Sequence, residues 1–324
     1  MRHREHLSVN KYIAWRLLQA IPTVLLATLF VFIMVNLVRG NAIDIYFGLS
    51  ESRNPEAEAA LAAQLGIDKP LHIQYLTWLG RLLTGDFGTS WRYHEPVLKL
   101  ILDRLGLSFE LAIIATTISI VFSSILGVYL AVHQNSFAEQ AIRFISLLFI
   151  SAPLYWVALT IIVLLSTTLR WIPPIRYVSL TQDFWTHLQI IAIPSTLWGI
   201  LSIPAFSRFV RNSVLDVLSE DYVRTARAKG LKPRRILLVH VLKNAGGPLA
   251  TVIGLSLAGA AGGTLLMEVV FSLPGMGRLW LTSIYQRDIP MILGISVFIS
   301  TIFVVVNLLI DLCYAWLDPR IRYQ

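Results

Sequence analysis

Six long stretches without a charged residue constrain this chain more than any other feature of its sequence. They lie at 17–38, 111–138, 144–169, 184–207, 244–267 and 289–310, and each contains 22 to 28 residues. A hydrocarbon core of about 30 Å requires roughly 20 helical residues, and a charge at its centre costs roughly 2.5–3.5 kcal/mol. The six stretches therefore predict an all-α membrane protein with six transmembrane helices.

The composition excludes several other classes of protein. Of the 324 residues, 56% are hydrophobic and only 14% are charged, whereas soluble domains carry about 25% charged residues. The single cysteine, Cys313, cannot form an intramolecular disulfide and is interpreted as a small apolar side chain. These numbers exclude an ordinary soluble domain, a disordered chain and a disulfide scaffold.

The distribution of Lys and Arg predicts the orientation in the membrane. Six spans place both termini on one side, together with the loop at 139–143 and the segment at 208–243. These parts carry 16 Lys and Arg, against 4 in the two short loops of the opposite side. Because short cytoplasmic loops carry the excess of positive charge, both termini are expected in the cytoplasm. The net charge of +8 then indicates the lipid bilayer, and no nucleic-acid partner.

The expected organisation has three parts. Residues 1–106 hold a retained first transmembrane helix and a long outer loop, residues 107–317 hold a five-helix core with a cytoplasmic segment at 213–243, and residues 318–324 form a cytoplasmic tail. The six spans are expected at 13–38, 107–132, 142–169, 186–209, 248–271 and 291–317. Pro153 should kink the third span.

The long outer loop is expected to contain further helices. Asn54-Pro55-Glu56 starts a helical stretch that ends at Gly66. An amphipathic helix at 71–83 follows Pro70 and ends at the turn 85–88, and it either lies on the membrane interface or caps the bundle. A second amphipathic stretch at 96–107 leads into the second span.

Motifs for catalysis and cofactor binding are missing from the sequence. It contains no G-x-x-x-x-G-K-[ST] phosphate loop and no H-E-x-x-H zinc motif, and no histidine lies near the middle of a span. The polar residues Glu110, Glu268 and Asp311 flank the spans. The glycines of the fifth span are expected to form a helix-packing face: Gly254, Gly259 and Gly263. No catalytic residue, bound cofactor or metal site is therefore expected in this chain.

The cytoplasmic segment between the fourth and fifth spans is the most informative stretch. Ser219 is expected to cap a helix of about ten residues, with Glu220 in its first turn and Gly230 at its C-terminus. Between 211 and 243 there are 8 basic and 3 acidic residues, which anionic lipid alone would explain. The expected helix is compact, and its small side chains Ala226 and Ala228 are expected on an exposed face. These features favour docking into a groove of a cytoplasmic subunit over binding to lipid alone.

This segment resembles the EAA loop of binding-protein-dependent ABC importer permeases, where a small or acidic triplet precedes a glycine four residues later. Arg224-Thr225-Ala226 and Gly230 occupy those positions. Residues 220–231 are similar to the form of the dipeptide/oligopeptide/nickel/glutathione permease subfamily. Further motifs agree with that subfamily in order, at 65–70, 85–90, 271–277, 287–290 and 318–322. A departure is Arg39-Gly40-Asn41-Ala42, where the subfamily tends to have Pro-Gly-Asp-Pro.

The resemblance implies the type I ABC importer permease fold in a bacterial cytoplasmic (inner) membrane, and a chain without catalytic activity. The implied partners are a second homologous permease subunit, two cytoplasmic ATPase subunits that bind ATP and Mg²⁺, and an extracytoplasmic solute-binding protein. The implied ATPase-coupling helix consists of Glu220, Asp221, Tyr222, Arg224, Thr225, Ala226, Arg227, Ala228, Lys229, Gly230 and Leu231. Di- or oligopeptides are the expected solute. Nickel and glutathione stay open, as does an ATP-independent channel or secondary transporter.

Overall fold

The computed structural model describes the backbone of residues 9–37, 63, 68–170, 172, 176–244 and 264–317 and, within those ranges, the side chains from 17 to 309. The packing face of Gly254, Gly259 and Gly263, the departure at 39–42 and the tail at 318–324 lie outside the described residues. So does the helix expected at 55–66, apart from Ala63.

The described secondary structure is helical, apart from one isolated bridge between Thr89 and Pro96. The helices are α1 (Val9–Leu37), α2 (Leu71–Leu83), α3 (Val97–Val132), α4 (Phe137–Ser151), α5 (Leu154–Thr168), α6 (Phe184–Leu218), α7 (Asp221–Ala228), α8 (264–270), α9 (Met276–Tyr285) and α10 (Ile289–Leu317). Between α7 and α8 lie the short helices Pro233–Arg235 and Leu242–Asn244, with the π-helical segment Ile236–Val241 between them.

Four of these helices are long and apolar enough to cross a membrane. They contain the stretches Leu17–Leu37, Val97–Val132, Phe184–Leu218 and Ile289–Leu309, and the pair α4 and α5 would form a fifth span if it is counted as one. Most of the expected fifth span at 248–271 lies outside the described residues. The all-α membrane fold is therefore confirmed, while the number of six spans stays a prediction.

The third expected span is broken and not merely kinked. Helices α4 and α5 meet at an angle of 95°. Pro153 has no N–H to continue the helix, and it drives the preceding Ala152 into an extended conformation (φ −80°, ψ 129°). Each half has 15 residues, which is about 22 Å of helix and less than the roughly 30 Å of a hydrocarbon core.

One other expectation is confirmed and one expected boundary is wrong. The amphipathic stretch at 96–107 leads into the second span, and the two form one continuous helix, α3. Helix α6 continues nine residues past its expected end at 209, and Pro194 and Pro204 lie within it. Neighbouring serine hydroxyls bond carbonyls of the same helix, as Ser207 Oγ does to Pro204 O at 3.1 Å.

The chain forms two compact units. One consists of Met1–Arg16, Ser108–Leu273 and Val305–Gln324, and the other of Leu17–Leu107 and Pro274–Val304. In the second unit α2 lies along α1, where Tyr75 Oη is 3.0 Å from Thr28 Oγ1 and its ring centroid is 5.3 Å from that of Phe32. The apolar core of this unit consists of Val97, Leu100, Ile101, Met276, Leu279, Met291 and Ile295.

A buried carboxylate organises the turn that precedes α3. Asp288 is 1% exposed and accepts hydrogen bonds from Ser90 Oγ, from the backbone N–H groups of Trp91 and Arg92, and from that of Met291 in α10. The turn at 85–88, which follows α2, begins with Gly85 at φ +82°. This confirms the expected end of α2. Asp288 thus caps α10 and fixes residues 90–92 at the same time.

In the first unit α3 and α6 approach closely at two glycines that sequence reasoning did not single out. A Cβ on Gly127 would lie 2.5 Å from Val210 Cβ and 2.7 Å from Ser207 O, and a Cβ on Gly199 would lie 2.9 Å from Ala115 O. Both contacts include backbone atoms, which cannot rotate away. Glycine at these positions therefore sets the separation of the two helices.

Replacing Gly127 with alanine should destabilise the protein by about 1–3 kcal/mol, the range for an overpacked contact. Gly106→Ala is the matched control, because Gly106 lies in the same helix and a Cβ there meets nothing within 4 Å; alanine there should be neutral or stabilising by up to about 1 kcal/mol. Thermal unfolding in detergent measures both. Equal melting temperatures for the two variants would contradict the close approach.

Candidate functional site

The candidate site begins where α6 ends. Ser219 follows the last residue of α6, and its Oγ donates to Asp216 O at 2.7 Å while its N–H bonds Leu215 O at 3.1 Å. The expectation that Ser219 caps the next helix is therefore wrong, because its hydroxyl bonds the helix before it. Glu220 occupies the N-cap of α7 in an extended conformation and makes no side-chain capping bond.

Helix α7 is shorter than expected and ends as the sequence predicts. It contains eight residues, and Gly230 follows with φ +77°. The N–H of Gly230 bonds Arg227 O at 2.9 Å, and the N–H of Leu231 bonds Ala226 O at 3.3 Å. This pair of bonds is the Schellman motif, which requires a left-handed residue and therefore favours glycine.

Helix α7 has a buried face of two residues. Val223 is 0% exposed and Ala226 is 6% exposed, and their spacing of three places them on one side of the helix. Both belong to a core, here called the docking core, that consists of Ala131, Val210, Val214, Val223, Ala226, Ile236 and Val241. The expectation that Ala226 lies on the exposed face is wrong, because its small side chain lets α7 lie close to this core.

The opposite face of α7 is open to solvent. Its exposed residues are Asp221, Tyr222, Arg224, Thr225, Arg227, Ala228, Lys229 and Gly230. Arg224 Nη1 lies 3.3 Å from Asp221 Oδ1, but both side chains are largely exposed and such a pair contributes little to stability. Among the described residues, no atom would lie within 4 Å of a Cβ on Gly230. The exposed face is thus small, charged and held rigidly by the buried one.

The segment after α7 completes the docking core. Pro233 begins a helical turn, and the π-helical segment Ile236–Val241 follows. Ile236 and Val241 are buried in the docking core, whereas Leu238 and Val239 are 64% and 51% exposed. The wide π-helical turn places two side chains five residues apart on the same buried side.

Beneath this region lies a buried ion pair that sequence reasoning missed. Glu139 is 1% exposed, and its Oε1 lies 2.6 Å from Nη2 of Arg211, a residue of α6. Its Oε2 accepts the N–H of Asn135 at 2.6 Å, and its own N–H bonds Ser136 Oγ at 3.1 Å. The pattern Ser136-x-x-Glu139 at a helix start is a capping-box signal, but the arginine partner is 72 positions away in the sequence.

The acidic residues that flank the spans are paired. Glu268 is 0% exposed and accepts a hydrogen bond from Ser108 Oγ at 2.6 Å. Glu110 Oε1 lies 2.9 Å from Nε2 of the buried His187. Burial, with a contribution from the Glu110 carboxylate, raises the pKa of Tyr177 in the adjacent loop. Asp311 lies beyond the described side chains.

Among the described residues, no group of three or more His, Cys, Asp or Glu side chains is arranged to hold a metal ion.

Comparison with known proteins places the chain in a family. The family described as "Binding-protein-dependent transport system inner membrane component" matches residues 123–323, and its N-terminal companion, "Binding-prot-dependent transport system membrane comp, N-term", matches residues 9–112. The first match covers more than half of the chain and includes the whole segment at 213–243.

Curated relatives match over nearly the full length. A putative peptide permease protein of Brucella ovis is 36% identical over 315 residues, and the oligopeptide transport system permease protein AppB of Bacillus subtilis is 34% identical over 315 residues. Each match covers 96% of this chain and 99% of the relative.

A solved structure shares the fold. An inward-facing form of the MetNI methionine ABC transporter matches with a TM-score of 0.56 at 16% identity, and the match covers 69% of this chain and 99% of that one. A likeness at this identity shows a shared fold alone. The family match and the full-length relatives establish that this chain belongs to the inner-membrane components of binding-protein-dependent transport systems.

Proposed function

We propose that this chain is a non-catalytic permease subunit of an ATP-driven importer for di- or oligopeptides, in a bacterial cytoplasmic membrane. Its proposed partners are a second homologous permease subunit, two cytoplasmic ATPase subunits that bind ATP and Mg²⁺, and an extracytoplasmic binding protein that delivers the solute. The relatives named as peptide permeases support the choice of solute.

The observation that carries the proposal is the two-sided construction of α7. Val223 and Ala226 anchor the helix on the docking core, and the residues facing the other way are exposed in the part of the chain that the structure describes. A helix of eight residues is too short to be stable alone, so its position depends on that anchor. A rigid helix that presents a small exposed face is suited to a groove on a separate subunit.

In this mechanism the chain contributes to a translocation pathway that has two conformational states, and the chain catalyses no reaction. ATP binding closes the two ATPase subunits, and α7 follows the groove in which it sits. Because α7 shares the docking core with Ala131 of α3 and Val210 of α6, its displacement moves those helices. The movement opens the translocation pathway to one side of the membrane at a time.

Reconstitution tests the proposal. The chain is purified from its native membrane with its associated subunits and is placed in liposomes with the binding protein. We expect ATP-dependent uptake of a labelled dipeptide or oligopeptide that stops when the ATPase subunits are removed. Labelled nickel and labelled glutathione serve as competing solutes. Uptake that continues without ATP would contradict the proposal, and uptake of nickel or glutathione alone would contradict the assigned solute.

A further inference from the structure

The ion pair between Glu139 and Arg211 joins α4 and α6, two helices that also pack against each other. Glu139 lies in the first turn of α4, and Arg211 lies near the end of α6. The carboxylate is 1% exposed and the arginine side chain 14%. The pair is therefore shielded from water, and its geometry is fixed further by the bond from the Asn135 N–H to the same carboxylate.

Arg211 lies directly beside the residues of α6 that belong to the docking core, which anchors α7; α7 is called the docking helix from here on. The neighbours of Arg211 in α6, Val210 and Val214, are 1% and 0% exposed and belong to the docking core that holds α7. The residues of α6 that receive α7 and the residue that holds α4 are thus within one helical turn of each other. Helices α4 and α6 also pack directly against each other. A shift of α6 that follows α7 therefore reaches α4 through this packing, and the ion pair adds a polar contact at Glu139.

Helix α4 in turn leads to the break in the third span. It runs for 15 residues from Phe137 to Ser151 and meets α5 at 95°. Its surface is largely apolar and exposed in this chain, with Phe144 65% and Leu148 58% exposed. The ion pair with Arg211 lies at the end of α4 that is next to the docking core.

Stability alone does not account for the pair. Two apolar side chains of similar volume often stabilise a buried site as well as an ion pair does, because the charges must be removed from water. What the guanidinium adds is a fixed orientation relative to the carboxylate. We propose that Glu139 and Arg211 form a positioning pair that makes α4 move together with the docking helix during transport. This inference rests on the proposed function.

The test uses the complete transporter in liposomes and measures solute uptake and ATP hydrolysis in the same sample. The variants are Glu139→Gln, Arg211→Lys and the double variant Glu139→Met with Arg211→Met, in which no buried charge is left unpaired. Arg143→Ala is the matched control. Arg143 Nη1 approaches the same carboxylate at 3.7 Å, but its side chain is 60% exposed and it belongs to α4 itself, so it does not join two helices.

The expected result is a fall of about fivefold in uptake per ATP hydrolysed for each pair variant that assembles, with an unchanged ratio for Arg143→Ala. If the single variants fail to assemble, the double methionine variant decides. A ratio equal to wild type in an assembled pair variant would overturn the inference while the proposed function stands. A wild-type complex without ATP-driven uptake would overturn both.

Discussion

Gly230→Trp should abolish solute uptake and uncouple ATP hydrolysis, although the chain still reaches the membrane. Gly230 has φ +77°, so a residue other than Gly, Asn or Asp there carries a backbone strain of about 1–2 kcal/mol. A Cβ at that position meets no atom of the described residues within 4 Å. A complete loss of uptake therefore exceeds what the chain itself would suffer and reports a clash with the partner. Uptake into liposomes and the rate of ATP hydrolysis measure it.

Two controls separate backbone strain from the clash. Gly230→Asn introduces a residue that tolerates the left-handed conformation, and uptake should be only partly reduced. Gly85→Trp places the same side chain at φ +82° and also in open space, but in the turn after α2; it should lower stability as much as Gly230→Trp while ATP hydrolysis stays dependent on the solute. Equal loss of coupling in the Gly230→Trp and Gly85→Trp variants would show that strain is the whole effect.

Val223→Asp should release the docking helix from its core. Val223 is 0% exposed among apolar side chains that offer the carboxylate no partner among the docking-core residues. An uncompensated buried charge costs roughly 3–5 kcal/mol, which is more than an eight-residue helix can offset. We expect trypsin to cleave after Arg224 and Arg227 more than about tenfold faster than in the wild type, together with loss of ATP-driven uptake.

Val239→Asp is the matched control for that prediction. It introduces the same side chain in place of the same residue, sixteen positions further on, but Val239 is 51% exposed. Its rate of cleavage should equal that of the wild type. If both variants were cleaved at the wild-type rate, α7 would not depend on the docking core and the proposed path of movement would lose its first step.

The docking helix could be predicted from the sequence to the extent that its ends depend on local chemistry. Gly230 ends α7 because only a left-handed residue satisfies the last carbonyls, and that requirement is visible in the sequence. The capping role assigned to Ser219 was wrong, because this residue stands between two helices and its hydroxyl bonds the earlier one. The side on which Ala226 lies depends on what α7 packs against, and the spacing of Val223 and Ala226 was the available signal for it.

Features that join distant parts of the chain could not be predicted from one sequence. Glu139 and Arg211 lie in helices that are separated in the sequence by α5, and neither residue type specifies the other as its partner. Glycine patterns indicated close packing at Gly259 and Gly263. The close approaches of α3 and α6 are instead at Gly127 and Gly199, and they depend on which atoms of the other helix lie opposite each glycine. Pro153 indicated that the third span is not a straight helix, but the angle of 95° between α4 and α5 depends on packing.

Site-directed cross-linking from the exposed face of α7 tests the central claim most directly. Cys313 is the single cysteine of the chain, so Cys313→Ser removes the chain's own thiol. Thr225→Cys then places one thiol on the exposed face of α7. A maleimide–benzophenone reagent attached there should link the chain to a nucleotide-binding ATPase subunit. The same thiol should resist a membrane-impermeant maleimide that is added outside intact cells. Labelling from outside, or adducts with lipid and no ATPase, would contradict the account.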